Sequence, residues 1–451
     1  MVVSATVILL LPRLFGDDFV GFGWCQVFLF YVTYVGFAHL GWCDGFYLRE
    51  GGVAYDELDK SLVGGQVRAL ALSTSIAAIV VALGVVAFTQ DADSRFVVLF
   101  VALNAVLVIP QTLLSYALQV TNRIGAYSIS LIGARGFYGG GVLVAFILGV
   151  KDYHLFIAIY TMSSFVMLIV VSIICRDVVL DFAATLRQSF AEGWVNIKVG
   201  VHLLMSNLAV GLIDGVTRFA IQLRWSIAVF GKVSLALNIA TMVTSLTGSA
   251  SVVLYPALKR SGSHDTRAMY RVIDAALMIP LFGLLCFYYP GFMLVAAWLP
   301  QYKDGLTYLV FLFPAFLFSA KATVVIGTVM KVARMERSLA VINLGSLMVA
   351  VVLTLLAVGL MGSLLLAIVS VLITSLMRAL AAHVALIRRA QRGAMLKSIG
   401  GELVLTAVFC IFTWCYPGHW AWIAYVACYV LCLLWRRHDI NAVRHALAGH
   451  S

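Results

Sequence analysis

Long uncharged apolar runs, separated by short charged segments, are the feature that most constrains the fold of this chain. Apolar residues make up 63% of its 451 residues, and charged residues only 11%. Soluble proteins are about 45–50% apolar and about 25% charged, and their surfaces need that charge. Runs of about 20 apolar residues are long enough to cross a bilayer as helices. The sequence therefore predicts an integral membrane protein rather than a soluble domain.

The apolar runs divide the chain into about fourteen candidate membrane spans. The first six cover residues 1–12, 20–41, 69–89, 96–119, 127–149 and 155–175. The next six cover residues 199–221, 227–255, 272–297, 305–329, 338–360 and 363–387, and the last two cover 401–416 and 419–435. The first run is too short to span a bilayer. We therefore expect that the true start lies upstream or that the first helix is held inside the protein.

The two groups of six spans resemble each other weakly, because Pro110 and Pro314 lie in corresponding spans that both end in basic segments. Parallel repeats of this kind are frequent in transporters. The predicted domains are an N-terminal six-helix lobe (1–175), a cytoplasmic connector (176–198), a C-terminal six-helix lobe (199–387), and a final region (388–451) with a basic link, two helices and a cytoplasmic tail.

The distribution of Lys and Arg predicts the orientation. With a cytoplasmic N-terminus, basic residues in inner loops outnumber those at outer ends by about three to one, as the positive-inside rule requires. This bias accounts for much of the net charge of +11 without a nucleic-acid partner. We expect both termini to be cytoplasmic.

Ionisable residues within the spans are the candidate functional groups, because they usually face a bundle interior or a water-filled cavity. Lys321 lies ten residues before Lys331, about 15 Å along a helix, so it is predicted near the bilayer midplane. It is either a cationic contact for an anionic headgroup in a central cavity, or a lysine that is paired with a carboxylate or snorkels along a groove. Asp214 and Arg218 lie four residues apart. They either neutralise each other or couple transport to protons or sodium.

Two further regions carry candidate groups. Arg135 lies among glycines in the fifth span, where it either lines a cavity or snorkels to the headgroups, and snorkelling is the default expectation for Arg378. The segment 41–52 places Asp44 and Arg49 among glycines and aromatic residues. It is either a binding site for a lipid phosphate or an ordinary helix exit with interfacial aromatics.

Catalytic and metal-binding patterns are missing from the sequence. The nine histidines have no metal-ligand spacing, the eight cysteines form no Cys-x-x-Cys pair, and no Walker motif is present. The short predicted outer loops leave no room for a catalytic domain. We therefore expect a transporter without a cofactor or metal, with proton or sodium coupling as an option, rather than an enzyme or an ATP-driven pump.

Several motifs, taken together in order, resemble one family. The first hairpin reads Pro12-Arg-Leu-Phe-Gly-Asp-Asp-Phe-Val-Gly21, and the second span ends in Gly41-x-x-Asp44-Gly45-x-x-x-Arg49-x-Gly51-Gly52-x-x-Tyr55. The later half contains Leu299-Pro-x-Tyr302-Lys-Asp-Gly305, Leu-Phe-Pro314, Phe-Ser-x-Lys321 and Met330-Lys-x-x-Arg334. The chain resembles, over almost its whole length, the polysaccharide repeat-unit flippases (O-antigen and exopolysaccharide translocases) of the multidrug/oligosaccharidyl-lipid/polysaccharide (MOP) exporter superfamily.

The resemblance implies two six-helix lobes around a central cavity, with two added helices, in a bacterial inner membrane. It implies a substrate that is an undecaprenyl-pyrophosphate-linked oligosaccharide, flipped from the inner to the outer leaflet for cell-surface polysaccharide synthesis. By this analogy Arg13 and Arg49, beside Asp44, contact the diphosphate, while Lys321 and Arg135 draw the headgroup through the cavity. The implied partners are this anionic lipid, membrane lipids and other polysaccharide-assembly proteins.

Three alternatives remain open at this stage. A multidrug or cation antiporter of the same superfamily would need deep acidic residues, whereas the deepest charges apart from Asp214 are predicted to be basic. A membrane polysaccharide polymerase or ligase is disfavoured by the short outer loops. A scaffold without transport activity is the third alternative.

Overall fold

The computed structural model describes residues 2–260, 266–332, 335–387, 393–416 and 418–437. In these ranges every regular element is helical. Ten helical stretches are long and apolar enough to cross a membrane, and four shorter apolar ones match the remaining predicted spans. The predicted all-α polytopic membrane fold is therefore confirmed. Arg334, the basic link at 388–392 and the tail after residue 437 lie outside the described residues.

The helices of the first half follow the predicted spans closely. They are α1 (Val2–Phe15), α2 (Phe19–Val35), α3 (Trp42–Arg49), α4 (Lys60–Phe88), α5 (Ala92–Val120), α6 (Ile124–Leu148), α7 (Tyr153–Ile174) and α8 (Arg176–Val179). Short 3₁₀ segments lie at Gly36–His39 and Tyr55–Glu57.

The helices of the second half are more often interrupted. They are α9 (Leu186–Arg224), α10 (Ile227–Arg260), α11 (Thr266–Leu284), α12 (Tyr288–Trp298), α13 (Lys303–Leu306), α14 (Leu309–Ala320), α15 (Gly327–Val332), α16 (Glu336–Thr354), α17 (Leu364–Ile387), α18 (Gly393–Cys415) and α19 (His419–Trp435). Two π-helical segments, Lys321–Ile326 and Leu355–Leu360, continue α14 and α16.

Aspartates explain why several spans begin where they do. The side chains of Asp18, Asp59, Asp91 and Asp152 each accept a hydrogen bond from a backbone N–H in the first turn of α2, α4, α5 and α7, respectively. Such N-caps satisfy donors that have no partner within the helix, which matters most near hydrocarbon. The charged segments between apolar runs therefore also contain the capping residues at which the next helices begin.

The chain forms two compact units. Unit 1 consists of Met1–Leu208 and Ser226–Gly231, and unit 2 consists of Ala209–Trp225 and Lys232–Ser451. The division falls inside α9, a continuous helix of 39 residues. The predicted boundary at residue 198 between the connector and the following span thus falls within this helix, and the domain division stays a prediction. Helix α9 begins at Leu186 and runs for about 58 Å, well beyond the thickness of a bilayer.

Glycines bring α3 and the first part of α9 into backbone contact within unit 1. A Cβ on Gly45 would lie 1.9 Å from the Asn196 carbonyl oxygen, and a Cβ on Gly200 would lie 2.1 Å from the Gly41 carbonyl oxygen. Gly41 also has a φ of +90°, which favours glycine. Gly41 and Gly45 thus serve helix packing, as small residues do in membrane interfaces.

We expect Gly45→Ala to destabilise the protein by about 1–3 kcal/mol, the usual cost of overpacking, because backbone must move to admit the methyl group. Gly84→Ala is the matched control, since Gly84 lies within α4 and its Cβ would meet open space. The control should be neutral or stabilising by up to about 1 kcal/mol. Thermal unfolding of both purified variants measures the difference, and equal midpoints would contradict this account of the α3–α9 contact.

Candidate functional site

Arg49, at the end of α3, is bound to the start of α9. Its Nη1 donates to Glu192 Oε1 and, at 2.6 Å, to Asn196 Oδ1. Asn196 is buried and donates to Gln66 Oε1 at 2.8 Å, an oxygen that also accepts from Trp42 Nε1 at 2.9 Å. Arg49 is therefore held in a fixed position while its side chain stays 32% exposed.

Asp44 lies in the first turn of the same short helix but is buried. The Gly41 N–H donates to His39 Nδ1 at 3.0 Å, so the neutral imidazole carries its proton on Nε2, which lies 3.9 Å from Asp44 Oδ2. Burial raises the pKa of the Asp44 carboxyl. The structure therefore places Asp44 against His39 inside the protein, whereas Arg49 on the same helix reaches the surface.

Tyr55, the last residue of the 41–55 motif, anchors a charged cluster in unit 1. Its hydroxyl donates to Asp177 Oδ1 at 2.8 Å, and Lys60 Nζ lies 2.8 Å from Asp177 Oδ2. The Arg123 guanidinium stacks 3.5 Å from the centre of the Tyr55 ring. This cluster holds the α3–α4 loop to α8 and to the α5–α6 turn, so two of the basic residues near Arg49 are already engaged.

Arg13 and Arg49 lie before and after α2 in the chain. Arg13 is exposed in the last turn of α1, five residues before Asp18, the N-cap of α2. Arg49 follows the other end of α2, which has 17 residues and is about 25 Å long. The predicted contact of both arginines with one diphosphate stays a prediction, and it would require two different stages of transport.

Arg135 lies near the middle of α6 and is exposed. Its charge acts on the Tyr160 phenol of α7, but among the residues that the structure describes no side chain forms a hydrogen bond or ion pair with it. On the same helix, a Cβ on Gly136 or Gly140 would meet open space. Unit 1 thus contains an exposed cation halfway along an apolar helix.

Lys321 is fully buried in unit 2, at the start of the π-helical segment that continues α14. Its Nζ lies 2.9 Å from Asp274 Oδ1 and 2.6 Å from Glu402 Oε2. Arg436 Nη2 lies 2.6 Å from Asp274 Oδ2, and its Nη1 lies 3.8 Å from Glu402 Oε1. We call these four residues the buried charge cluster. The structure thus gives Lys321 the carboxylate pairing that the sequence left open, and in this conformation no substrate reaches the amine.

The buried charge cluster corrects one expectation. Arg436, predicted in the cytoplasmic tail, is buried just after α19, and Asp274 and Glu402 are acidic residues buried in apolar helices. Two carboxylates that the sequence analysis did not consider are thus buried beside Lys321, whereas the expectation that the deepest charges are basic stays a prediction. Sequence reasoning missed both carboxylates, although each lies within a predicted span and would have offered a partner of opposite charge for Lys321.

Asp214, Arg218 and Arg378 form a second polar region of unit 2. Arg218 donates to Asn238 Oδ1 at 3.1 Å, whereas Asp214 Oδ1 is buried and accepts no hydrogen bond from a described residue. The Arg218 and Arg378 guanidinium groups both act electrostatically on Asp214. Arg378 thus acts on Asp214 in addition to Arg218, the residue with which the sequence predicts that Asp214 pairs.

Arg378 itself does not snorkel. It is buried, and it donates to Asn343 Oδ1 at 3.0 Å and to Thr323 Oγ1 at 3.3 Å. The expectation of snorkelling is therefore wrong, because α16 and the π-helical segment after α14 supply acceptors at the depth of the guanidinium.

Two cavities of the protein are lined mainly by apolar side chains. The described part of the chain contains no cluster of ligands for a metal ion. A cavity of about 690 Å³ in unit 2 is lined mainly by apolar side chains of α12, α14 and α18. Another of about 490 Å³ in unit 1 is lined mainly by α2, α4 and α5.

Comparison with solved structures places the fold. The chain is similar to the lipid II flippase MurJ in an inward closed conformation, with a TM-score of 0.71 and 12% identity over 97% of each chain. It is also similar to an inward-facing multidrug resistance MATE family transporter of the MOP superfamily, with a TM-score of 0.52 and 13% identity over 86% of this chain and 96% of that one. The sequence matches no protein-family model and no curated protein.

The chain therefore shares its fold with the MurJ flippase and with this MATE family transporter, and its ten long apolar helices are those of a multi-pass membrane protein. Because identity is low, the likeness shows the fold alone. The structural neighbours are transporters rather than enzymes.

Proposed function

We propose that this protein flips a lipid-linked oligosaccharide with an anionic, polyprenyl-diphosphate headgroup from the inner to the outer leaflet of a bacterial cytoplasmic membrane. The observation that carries the proposal is Arg135, an exposed cation in the middle of α6 without a carboxylate partner among the described residues. A guanidinium facing hydrocarbon is costly, so this position requires water or an anionic ligand. The MurJ-like fold supplies the context, since MurJ is a lipid II flippase.

The physical logic is that phosphates and sugars cannot cross hydrocarbon unaided. A fixed guanidinium lowers this barrier because it forms charge-assisted, bidentate hydrogen bonds with phosphate oxygens. Arg135 would provide such a contact halfway across the membrane, and the open space beside Gly136 and Gly140 would admit a bulky headgroup. Lys321 is not part of this proposal, because its charge is neutralised within the buried charge cluster.

Arg49 and Arg13 would act at the two ends of the path. Arg49 is preorganised by Asn196 and exposed, so it would receive the diphosphate on the cytoplasmic side. Arg13 lies beyond the opposite end of α2, where it would contact the headgroup late in transport. We assign the surface-polysaccharide pathway, and partners among its assembly proteins, from the motif resemblance.

The second candidate function is a cation or drug antiporter, and Asp214 is the observation that favours it. Its buried Oδ1 accepts no hydrogen bond from a described residue, as expected of a carboxylate that receives a proton or a cation. The two nearby guanidinium groups oppose a cationic drug there. We therefore propose Asp214 as an ion-coupling residue of the flippase, with Arg218 as its electrostatic partner.

We expect Asp214→Asn to make transport largely independent of the proton or sodium gradient, because the amide cannot exchange a charge. Ser234→Ala is the control, since Ser234 is a buried polar residue of unit 2 with no carboxylate. Transport into vesicles at imposed gradients measures the effect. A variant that keeps the full gradient dependence would exclude Asp214 from coupling.

Deletion of the gene in its native host tests the flippase proposal against other roles. A missing flippase leaves single lipid-linked repeat units that accumulate but stay hidden from a glycan probe added to spheroplasts. Units that accumulate and are reached by the probe would indicate a polymerase or ligase instead. If a strain that lacks redundant transporters makes normal surface glycan and accumulates no lipid-linked repeat units, the antiporter function is favoured.

A further inference from the structure

The contact between Arg49 and Glu192 places a resident carboxylate on the arginine that we assign to headgroup binding. Glu192 belongs to α9 and Arg49 to α3, and they are 143 residues apart in the chain. Their side chains are 26% and 32% exposed, respectively, so the pair faces its surroundings rather than the core. A ligand anion can therefore reach the same guanidinium.

The surroundings hold this pair in position. Asn196, one helical turn after Glu192, also accepts from Arg49 Nη1 and is itself fixed by Gln66. The close approach of Gly45 to the Asn196 carbonyl prevents α9 from moving away from α3 without a cost in packing. Glu192 thus faces Arg49 because of the fold, and the neutral Asn196 contact would keep Arg49 oriented if the carboxylate were displaced.

We propose that Glu192 is the resident counter-anion of Arg49, and that the phosphate of an incoming lipid headgroup must displace it. This inference rests on the proposed function. Arg49 is competent to bind phosphate only in the fraction of molecules in which Glu192 has released it, so the pair weakens headgroup binding by that fraction. The pair keeps the guanidinium neutralised and ordered between transport cycles, and it makes release of the headgroup easier.

Binding of farnesyl diphosphate to the purified full-length chain in dodecyl maltoside, followed by calorimetry, tests the inference. Glu192→Gln should bind the probe roughly three- to tenfold more tightly, because a partly exposed carboxylate no longer competes for Arg49. Glu50→Gln is the matched control, since it removes the same charge from the residue next to Arg49. It should change the affinity by less than about twofold, because distance and solvent screen its effect.

A double-mutant cycle separates competition from a general change in charge. In an Arg49→Ala background, Glu192→Gln should change the affinity for farnesyl diphosphate by less than about twofold, because the guanidinium for which Glu192 and the phosphate compete is absent. Three outcomes would each overturn the inference and leave Glu192 with a structural role only. Glu192→Gln could tighten binding equally with and without Arg49, it could have the same effect as Glu50→Gln, or it could leave the affinity unchanged.

The same titrations distinguish failure of this inference from failure of the proposed function. If the native chain binds farnesyl diphosphate and Arg49→Ala weakens it, the headgroup site stands whatever Glu192 does. If no variant binds the probe while all unfold at the native temperature, the proposed headgroup site is wrong, and the counter-anion role is wrong with it.

Discussion

Lys321→Ala is expected to destabilise the protein by about 3–5 kcal/mol, the cost of removing one partner from a buried ion pair. The amine contacts both carboxylates of the buried charge cluster, and Lys321 and Asp274 are fully buried. Without the amine, the buried charge cluster holds two carboxylates and one guanidinium, which leaves an excess negative charge in a low dielectric. Thermal unfolding in detergent measures the loss. An unchanged midpoint would contradict the structural role of Lys321.

A double variant makes this prediction specific to the buried charge cluster. Lys321→Met combined with Glu402→Gln removes one cation and one anion, and leaves the Asp274–Arg436 pair intact. It should be more stable than Lys321→Met alone, because no uncompensated charge remains. If the double variant regains both stability and transport, Lys321 has a structural role in holding α11, α14, α18 and the end of α19 together. If it regains stability but not transport, Lys321 takes part in substrate binding.

Arg135→Gln is expected to lower the flipping rate about ten- to hundredfold with little change in stability. The loss of a charge-assisted hydrogen bond to a phosphate corresponds to about 1.5–3 kcal/mol, and each 1.4 kcal/mol is about tenfold in rate. Stability should change little because no described side chain hydrogen-bonds or ion-pairs with the guanidinium. Flipping rate and unfolding temperature are measured on the same purified variants.

Two matched variants control for the change in charge. Arg176→Gln removes an exposed arginine of α8 and should leave the flipping rate within about twofold of native. Arg135→Lys keeps a cation but loses the bidentate geometry, so it should give an intermediate rate. A loss of stability in Arg135→Gln equal to its loss of rate would contradict a direct role in substrate binding.

The fold could be predicted from the sequence because hydropathy acts locally. A helix such as α4 or α5 needs only an apolar run of sufficient length. Its end is marked by the polar residues that follow, such as Asp91 after α4, which is the N-cap of the next helix. The sequence predicts a connector at 176–198 because the first turns of α9, from Leu186 to Lys198, are polar. Their packing against α3 through Gly45 and Gly200 joins residues that are far apart in the chain, which no local pattern shows.

The site could be predicted only in part, since charge partners are distant in the chain. Lys321 was recognised as a deep cation, but Glu402 lies 81 residues away and Arg436 binds Asp274 across 162 residues. Arg49 was selected from its motif, whereas its partner Glu192 lies in a polar segment that looked like a connector. Arg135 offers the opposite case. The sequence marks it as an unusual charge, and no carboxylate of the described residues pairs with it.

Reconstituted flipping tests the central claim most directly. The purified chain is placed in vesicles that contain a fluorescent polyprenyl-diphosphate oligosaccharide, and a membrane-impermeant reagent reports how much of it reaches the outer leaflet. The account predicts transfer by the native protein, transfer reduced about ten- to hundredfold in Arg135→Gln, and native transfer in Arg176→Gln. Native protein that is folded but transfers no more lipid than empty vesicles, with or without an imposed ion gradient, would contradict it.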